Sequence, residues 1–302
     1  MFHEEHLHME KLNNCPVCLS EQFSQVLTCT DYTTTKEEFV LCQCSECSFR
    51  FTNPRPDVIE SGKYYQSEDY ISHTDSTKGL LNKIYQVARD YMISTKYKST
   101  VKKYNAKSLV DYGCGTGDFL KYCIDKGHNA VGLEIDENAR RIASNKGCEK
   151  VYDPSYLNQL SDSSADIITL WHVLEHIHEL HPTIKHFNRI LNNNGTLVIA
   201  VPNHDSYDAK QYGKFWAAYD VPRHLYHFNV ASMTRLMNDE GFKLIEMKTM
   251  KLDPFYIALL SNKYQSGGMN PIKATYVGLM SNIKTLINIR NSSSIIYIFK
   301  KQ

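Results

Sequence analysis

The sequence predicts an α/β fold, a mostly parallel sheet with helices on both faces, and three observations carry that expectation. From residue 107 onward, short apolar runs alternate with stretches of helical periodicity, the pattern of successive β–α units. Leu109-Val110 leads into Asp111-Tyr112-Gly113-Cys114-Gly115-Thr116-Gly117-Asp118, with glycines at alternate positions. A strand turning sharply into a helix needs such residues, because glycine tolerates positive φ and lets a ligand approach the backbone. Finally, Ala130-Val131-Gly132-Leu133-Glu134 reads as a second strand ending in an acid, 21 residues past Gly113. In nucleotide-binding α/β folds an acid at about that distance accepts hydrogen bonds from ribose hydroxyls.

In chain order, residues 1–14 are expected to be a loose polar tail containing His3, His6 and His8. Residues 15–53 hold six of the nine cysteines and alternate like short strands, as in Phe39-Val40-Leu41 and Phe49-Arg50-Phe51. Residues 54–79 read as a linker, with Pro54, Pro56, Tyr64, Tyr65 and Tyr70; the three tyrosines are candidates to close the donor side of a site. Between Leu80 and Tyr104, Leu81, Ile84, Tyr85, Ala88, Tyr91 and Met92 fall at helical spacing. Strands are then expected at 107–111, 129–134, 150–152, 166–171, 195–201, 243–250 and 294–300, and helices at 117–126, 137–146, 181–192 and 231–240. Asn193-Asn194-Gly195 and Glu240-Gly241 read as helix stops. The segments 203–230 and 253–293 interrupt the alternation as insertions after strands, where they would cover a ligand crevice.

A chain of 302 residues has room for one large or two medium domains. Its net charge of +1 offers no global basic field for nucleic acid or an anionic membrane. The N-terminus has no apolar core of a secretory signal, and no run approaches the ~20 apolar residues of a membrane span. A cytoplasmic setting is expected. Cysteines in that setting serve as thiols or metal ligands more often than as disulfides.

Cys15-Pro16-Val17-Cys18 and Cys44-Ser45-Glu46-Cys47 are two C-x-x-C knuckles separated by 25 residues. Each knuckle presents two thiolates from one turn, and two facing knuckles complete a tetrahedral zinc site. Cys42 would break the x-x spacing and Cys29 has no partner at ligand spacing, so both are expected to be free. Four thiolates leave no open position for substrate, which makes the module structural or recognitional. Lys11 and Arg50 are too few to argue for nucleic acid.

The glycine spacing also separates two nucleotide folds. A dinucleotide fingerprint is G-x-G-x-x-G, whereas here Gly117 arrives one place early and Asp118 occupies the third glycine's position. A carboxylate at that helix start repels a pyrophosphate but tolerates a cationic ligand.

Together these residues resemble the class I S-adenosylmethionine-dependent methyltransferases over roughly residues 80–302. The glycine turn at 110–119 is similar to their donor-binding motif and Glu134 to their ribose acid. The run DIITLWHVLEHI resembles their fourth-strand motif lining the methionine end of the donor. The resemblance implies a Rossmann-like seven-stranded sheet whose last strand, 294–300, inserts antiparallel. It implies S-adenosyl-L-methionine as cofactor, held by Asp111, Gly113, Gly115, Gly117, Glu134, Trp171 and His172. The four-cysteine module followed by FTNPRP, and the later YDVPRHLYHF, are similar to a bacterial subgroup that modifies sugars, polysaccharides and other small molecules.

Methyl transfer from a sulfonium is an in-line displacement in which positioning does much of the work; an oxygen or nitrogen acceptor additionally needs a base. His172, at a strand end, and His224 are the candidate catalytic groups, since imidazole titrates near neutrality. His176, four residues on from His172, reads equally well as a packed helix residue. Tyr219, Asp220, Arg223 and His224 are candidates for an acceptor lid, with Arg223 holding a carboxylate or phosphate. The alternative for that loop is self-anchoring by its own Asp–Arg pair. The leading functional reading is a methyltransferase acting on a small-molecule or sugar-like acceptor. The others are an RNA or protein methyltransferase recruited through the zinc ribbon, and a non-catalytic donor-binding scaffold.

Overall fold

The computed structural model describes residues 9–65 and 80–302, the side chains of 80–86 excepted; His3, His6, His8 and Tyr70 lie outside the described residues. The N-terminal part contributes β1 (Met9–Glu10), β2 (Phe23–Thr30), β3 (Glu38–Cys44), β4 (Arg50–Thr52) and β5 (Arg55–Pro56). Then come α1 (Leu80–Ser99), β6 (Ser108–Tyr112), α2 (Asp118–Asp125), β7 (Asn129–Leu133), α3 (Glu137–Asn145), β8 (Val151–Tyr152) and β9 (Ala165–Trp171). The chain continues with α4 (Leu180–Ile190), β10 (Leu191–Pro202), α5 (Tyr207–Tyr212), β11 (Tyr226–His227) and α6 (Val230–Asp239). It ends with β12 (Phe242–Thr249), α7 (Asp253–Ser266), α8 (Pro271–Ile287) and β13 (Ser294–Lys301).

The main sheet has seven strands in the order β12-β13-β10-β9-β6-β7-β8. Strands β6 to β10 pair in parallel, and β13 runs antiparallel to both of its neighbours. The two-residue alternation of a strand builds two cores from one sheet. Leu197, Ile199 and Val201 face α4 and α6 through Ile184, Phe187, Met233 and Leu236. Val198 and Ala200 face α2 and α3 through Phe119, Leu120 and Ala143. Central strands covered on both faces read as continuous apolar runs for this reason.

Asn193-Asn194-Gly195 is not a helix stop. Helix α4 ends at Ile190, and the chain passes directly into β10, whose pairing with β9 shifts register between Leu191 and Thr196. The polar triplet lies in that irregularity, where a strand needs turn-like residues as much as a helix end does.

The N-terminal tail is tied down from Met9. Strand β1 pairs with β5, and the Leu12 N–H donates to Asn53 Oδ1 at 2.9 Å. The cysteine module is likewise continuous with the segment 203–230, because β11 adds to its sheet in the order β11-β4-β3-β2. On the other side of that sheet, Phe39, Leu41 and Tyr64 share a core with Trp216, Tyr219, Val221, Ala258 and Val277. The module and both insertions therefore pack as one body over the carboxyl ends of the main sheet. Buried Asp208 holds the insertions together, accepting from Trp216 Nε1 at 2.8 Å and Ser293 Oγ at 2.6 Å. No helix among the described residues is long and apolar enough to cross a membrane.

Candidate active site and metal centre

The three glycines of the turn all have positive φ, and each answers a different demand. A Cβ on Gly113 would meet Val173 Cγ2 at 2.3 Å, and one on Gly117 would meet Ala143 Cβ of α3 at 2.7 Å. At Gly115 a Cβ would meet nothing within 4 Å. Two glycines thus permit close packing, and the middle one faces open space at the end of β6. Glu134 closes the rim of that space, its Oε2 accepting the Gly115 N–H at 2.8 Å and its Oε1 the Asp136 N–H at 3.0 Å.

Asp118 does not face a ligand. Arg89 and Lys146 pair with its carboxylate, the latter at 2.9 Å. Although burial favours the neutral acid, these cations hold Asp118 below the usual carboxylate range. A helix start with unpaired N–H groups attracts negative charge, and here the protein supplies that charge and neutralises it with its own side chains.

Behind the turn, buried Asp111 accepts from Thr169 Oγ1 at 2.6 Å. Burial pushes its carboxyl up to about 7 against the opposing pull of that hydrogen bond and of Lys96. Lys96, on α1, stands 4.5 Å from the centre of the Trp171 ring. Burial lowers its ammonium, and Asp253 and Asp111 counter that. The buried Trp171 Nε1 has no hydrogen-bond partner. These are the features a sulfonium-bearing amino-acid ligand requires: carboxylates for its positive groups, an ammonium for its carboxylate, an acid at ribose distance and an open backbone turn. S-adenosyl-L-methionine fits the residues present.

His172 follows β9 with φ of 58°, a conformation rare for a residue with a side chain. It turns the imidazole between two carboxylates, Asp253 Oδ2 at 3.2 Å from Nε2 and Glu175 Oε1 at 3.5 Å from Nδ1. Burial opposes the charged ring, but the two acids outweigh it and raise His172 to about 9. Glu175 is fully buried and neither carboxylate oxygen has a hydrogen-bond partner. His224 Nε2 stands 3.9 Å from Glu175 and equally far from Asp220, while its Nδ1 bonds the Ala218 carbonyl at 2.9 Å.

The remaining lid candidates have protein partners. Arg223 is buried, pairs with Asp220 and Asp31 and donates to the Tyr64 carbonyl at 2.9 Å. Asp31 in turn accepts the N–H groups of Thr33, Thr34 and Thr35. Tyr219 accepts from Arg50 Nη1 at 2.9 Å. This is the self-anchored arrangement, extended into the cysteine module. The Tyr64 hydroxyl donates to Glu37, and Tyr65 reaches His176 Nδ1 at 3.0 Å.

In the metal centre, one sulfur each of Cys15, Cys18, Cys44 and Cys47 lies within 4.8 Å of the others, with Cys15–Cys47 and Cys18–Cys44 at 3.5 Å. Zn–S bonds of about 2.3 Å in a tetrahedron place sulfurs about 3.8 Å apart, so the four fit a zinc ion. Cys42 turns toward the Asn53 carbonyl and Cys29 into the module's apolar core, where burial pushes its thiol up to about 12. Neither belongs to the cluster.

Sequence reading missed Lys96, Asp253 and Glu175. Lys96 sits on a helix recognised only by its apolar stripe. Asp253-Pro254 carries a legible signal, an acid and a proline opening a helix just past β12. Glu175 lies inside the fourth-strand motif between His172 and His176, but its third imidazole, His224, comes from a loop distant in sequence.

The sequence profile of the methyltransferase-domain family matches residues 83–247. A probable S-adenosylmethionine-dependent methyltransferase of Mycolicibacterium smegmatis is 22% identical over 155 residues, 49% of this chain and 56% of that protein. An uncharacterised protein of Methanocaldococcus jannaschii is 25% identical over 52% of this chain and 65% of its own. The match thus spans less than two thirds of either relative. Among solved structures, magnesium protoporphyrin IX methyltransferase of Synechocystis, with bound SAH, superposes with a TM-score of 0.53 at 16% identity, over 82% of this chain and 100% of that one. Geranyl diphosphate C-methyltransferase of Streptomyces coelicolor gives 0.53 at 11% identity, over 76% and 88%. At that identity the likeness speaks for the fold. With the profile covering more than half of the chain and the seven-stranded sheet ending in an antiparallel strand, the protein belongs to the class I S-adenosylmethionine-dependent methyltransferase family.

Proposed function

We propose that the protein is a cytoplasmic enzyme that transfers a methyl group from S-adenosyl-L-methionine to a small-molecule or sugar-like acceptor, with a structural zinc in its cysteine module. The observation that carries this reading is the open backbone at Gly115 between the carboxylates of Glu134 and Asp111. When bound, the donor supplies an electrophilic methyl on a sulfonium. In this reading Glu134 holds the ribose, Gly113, Gly115 and Gly117 let the backbone approach it, and Asp111, Trp171 and His172 line the amino-acid end. Lys96 and Asp253 join them. Both nitrogens of His172 face carboxylates, so it orients and closes the site rather than taking a proton. Proton removal falls to His224, beside Glu175 and Asp220. Tyr219, Asp220 and Arg223 form the wall on the acceptor side.

Calorimetric titration with S-adenosyl-L-methionine and with NAD tests the donor. Tight NAD binding with no binding of the methyl donor would overturn the reading. Incubation with labelled donor and fractionated lysate then identifies the acceptor class. Label in small molecules is expected. Label in RNA or protein would favour recruitment through the ribbon, and donor binding without label in any fraction would leave a scaffold.

A further inference from the structure

Glu175 is a buried carboxylate whose one charged neighbour, His172, stands 3.5 Å away, outside hydrogen-bond geometry. A carboxylate withdrawn from water costs several kcal/mol unless it is paired and hydrogen-bonded. This one is fully buried and neither oxygen has a hydrogen-bond partner. Its nearest groups are imidazoles, His172 Nδ1 at 3.5 Å and His224 Nε2 at 3.9 Å. An oxygen of Glu175 and one ring nitrogen each of His176 and His224 lie within 4.8 Å of one another.

The two histidines are held as metal-binding histidines are held. A ligating imidazole characteristically donates its other N–H to a carbonyl or carboxylate, which fixes the tautomer and aims the lone pair. His224 Nδ1 bonds the Ala218 carbonyl at 2.9 Å, and His176 Nδ1 bonds the Arg223 carbonyl at 2.9 Å. A carbonyl only accepts, so His224 Nδ1 carries the proton and its Nε2 the lone pair; His176 Nδ1 also meets the Tyr65 hydroxyl at 3.0 Å, and the tautomer that donates to the Arg223 carbonyl leaves its Nε2 lone pair free in the same way. The rings stand edge to face with centroids 4.6 Å apart. The Leu225 N–H donates to the Glu175 carbonyl at 2.8 Å and locks the two segments together.

We propose that Glu175, His176 and His224 bind a divalent transition-metal ion of the zinc class, separate from the four-cysteine centre. Two imidazoles and one carboxylate select such ions over magnesium or calcium, which prefer all-oxygen shells. Three protein ligands leave a coordination position open, the mark of a site that receives a ligand rather than a purely structural one. The Asp220 carboxylate, 3.9 Å from His224 Nε2, adds negative charge at the rim. The ion gives the buried carboxylate a second partner beside His172. An occupied site would make His224 a ligand in place of the free base it is in the metal-free protein, and the open position suits an acceptor that carries an oxygen. The site stands on its own residues and does not depend on the identity of the reaction.

Elemental analysis of the full-length chain, equilibrated with zinc and freed of excess, tests this directly. Glu175→Gln keeps the side chain's size, and it and His224→Ala are each expected to bind one equivalent of zinc fewer than the parent. Cys18→Ser is expected to lose a different equivalent. Cobalt(II) added to chain that carries a single equivalent of zinc, in its four-thiolate centre, gives a second reading: weak visible bands without thiolate charge transfer, absent from Glu175→Gln. Thermal denaturation of each variant verifies that it is folded, and zinc should raise the melting temperature of the parent more than that of Glu175→Gln. Equal zinc content in the parent and in both folded variants would overturn the proposal. Methyl-donor binding is measured separately, so failure of the metal site leaves the reading of the donor site intact, and the reverse.

Discussion

The carboxylate of Glu134 accepts the backbone N–H of Gly115 at 2.8 Å, across 19 residues of chain. The acid at the end of the second strand therefore shapes the turn as well as forming its rim. Glu134→Ala removes that anchor together with the ribose acceptor. It should weaken donor binding by about 1.5–3 kcal/mol, the range for hydrogen bonds to a charged group. Glu134→Gln keeps one oxygen for Gly115 and should lose less. Calorimetric titration of both variants gives the comparison, and equal losses would assign the whole effect to the charge.

The glycines should separate by phenotype. Gly115→Ala costs about 1–2 kcal/mol through its left-handed backbone and meets no neighbour, so the chain stays folded while donor affinity falls. Gly113→Ala and Gly117→Ala also drive a methyl into Val173 and Ala143, and their melting temperatures should drop further than that of Gly115→Ala. Denaturation and donor titration on the same three proteins read both effects.

Asp111 gives the site a pH dependence. The unfolded chain releases this proton near 3.8 and the folded chain near 7. Between those values the folded state holds the extra proton, so the contribution is full below about pH 4 and is lost as pH rises through 7. Asp111→Asn should be more stable than the parent at pH 8, by up to a few kcal/mol, and about equal to it near pH 4. A cationic donor favours the ionised carboxyl, so donor affinity should rise between pH 6 and 8 in the parent and stay flat in Asp111→Asn. Urea denaturation and titration across that range check both.

Arg223 should behave as a framework residue. Removing one member of a buried ion pair typically costs about 3–5 kcal/mol, and Arg223→Ala leaves Asp220 without its guanidinium and the completely buried Asp31 with its threonine donors alone. Thermal denaturation should show the loss before any activity is measured. A variant as stable as the parent would return Arg223 to the role of a ligand clamp.

The order of strands and helices in the main sheet was legible because most of the strands are apolar runs and several connections carry a glycine, as at Gly127, Gly147 and Gly241. The glycine turn and its contact with Glu134 were legible because both lie in one β–α–β unit. The acceptor side was not. Glu175 meets His224, and Arg223 meets Asp31, only after the insertion has folded onto the cysteine module, and no local pattern encodes those meetings. The pairing of the module with the insertion was hidden on similar grounds, since β11 is two residues long and has no pattern of its own. Asn193-Asn194-Gly195 shows the reverse failure, a strong local signal whose turn chemistry serves a strand irregularity.

Strand β4 receives β11 as Phe51 pairs with Tyr226, and this pairing orders events during synthesis. The two cysteine knuckles emerge from the ribosome early and within 33 residues of one another, so a metal can be captured at once. The edge of β4 must wait until residue 226 has been made. At about 5–20 residues per second, that interval lasts roughly ten to thirty-five seconds. Throughout it the nascent module exposes the free edge of β4, with Phe49 beside the strand and Phe51 within it, the sort of edge to which other chains add. Truncated or stalled chains ending before residue 226 should therefore be the aggregating species in the cell, even when their metal is bound.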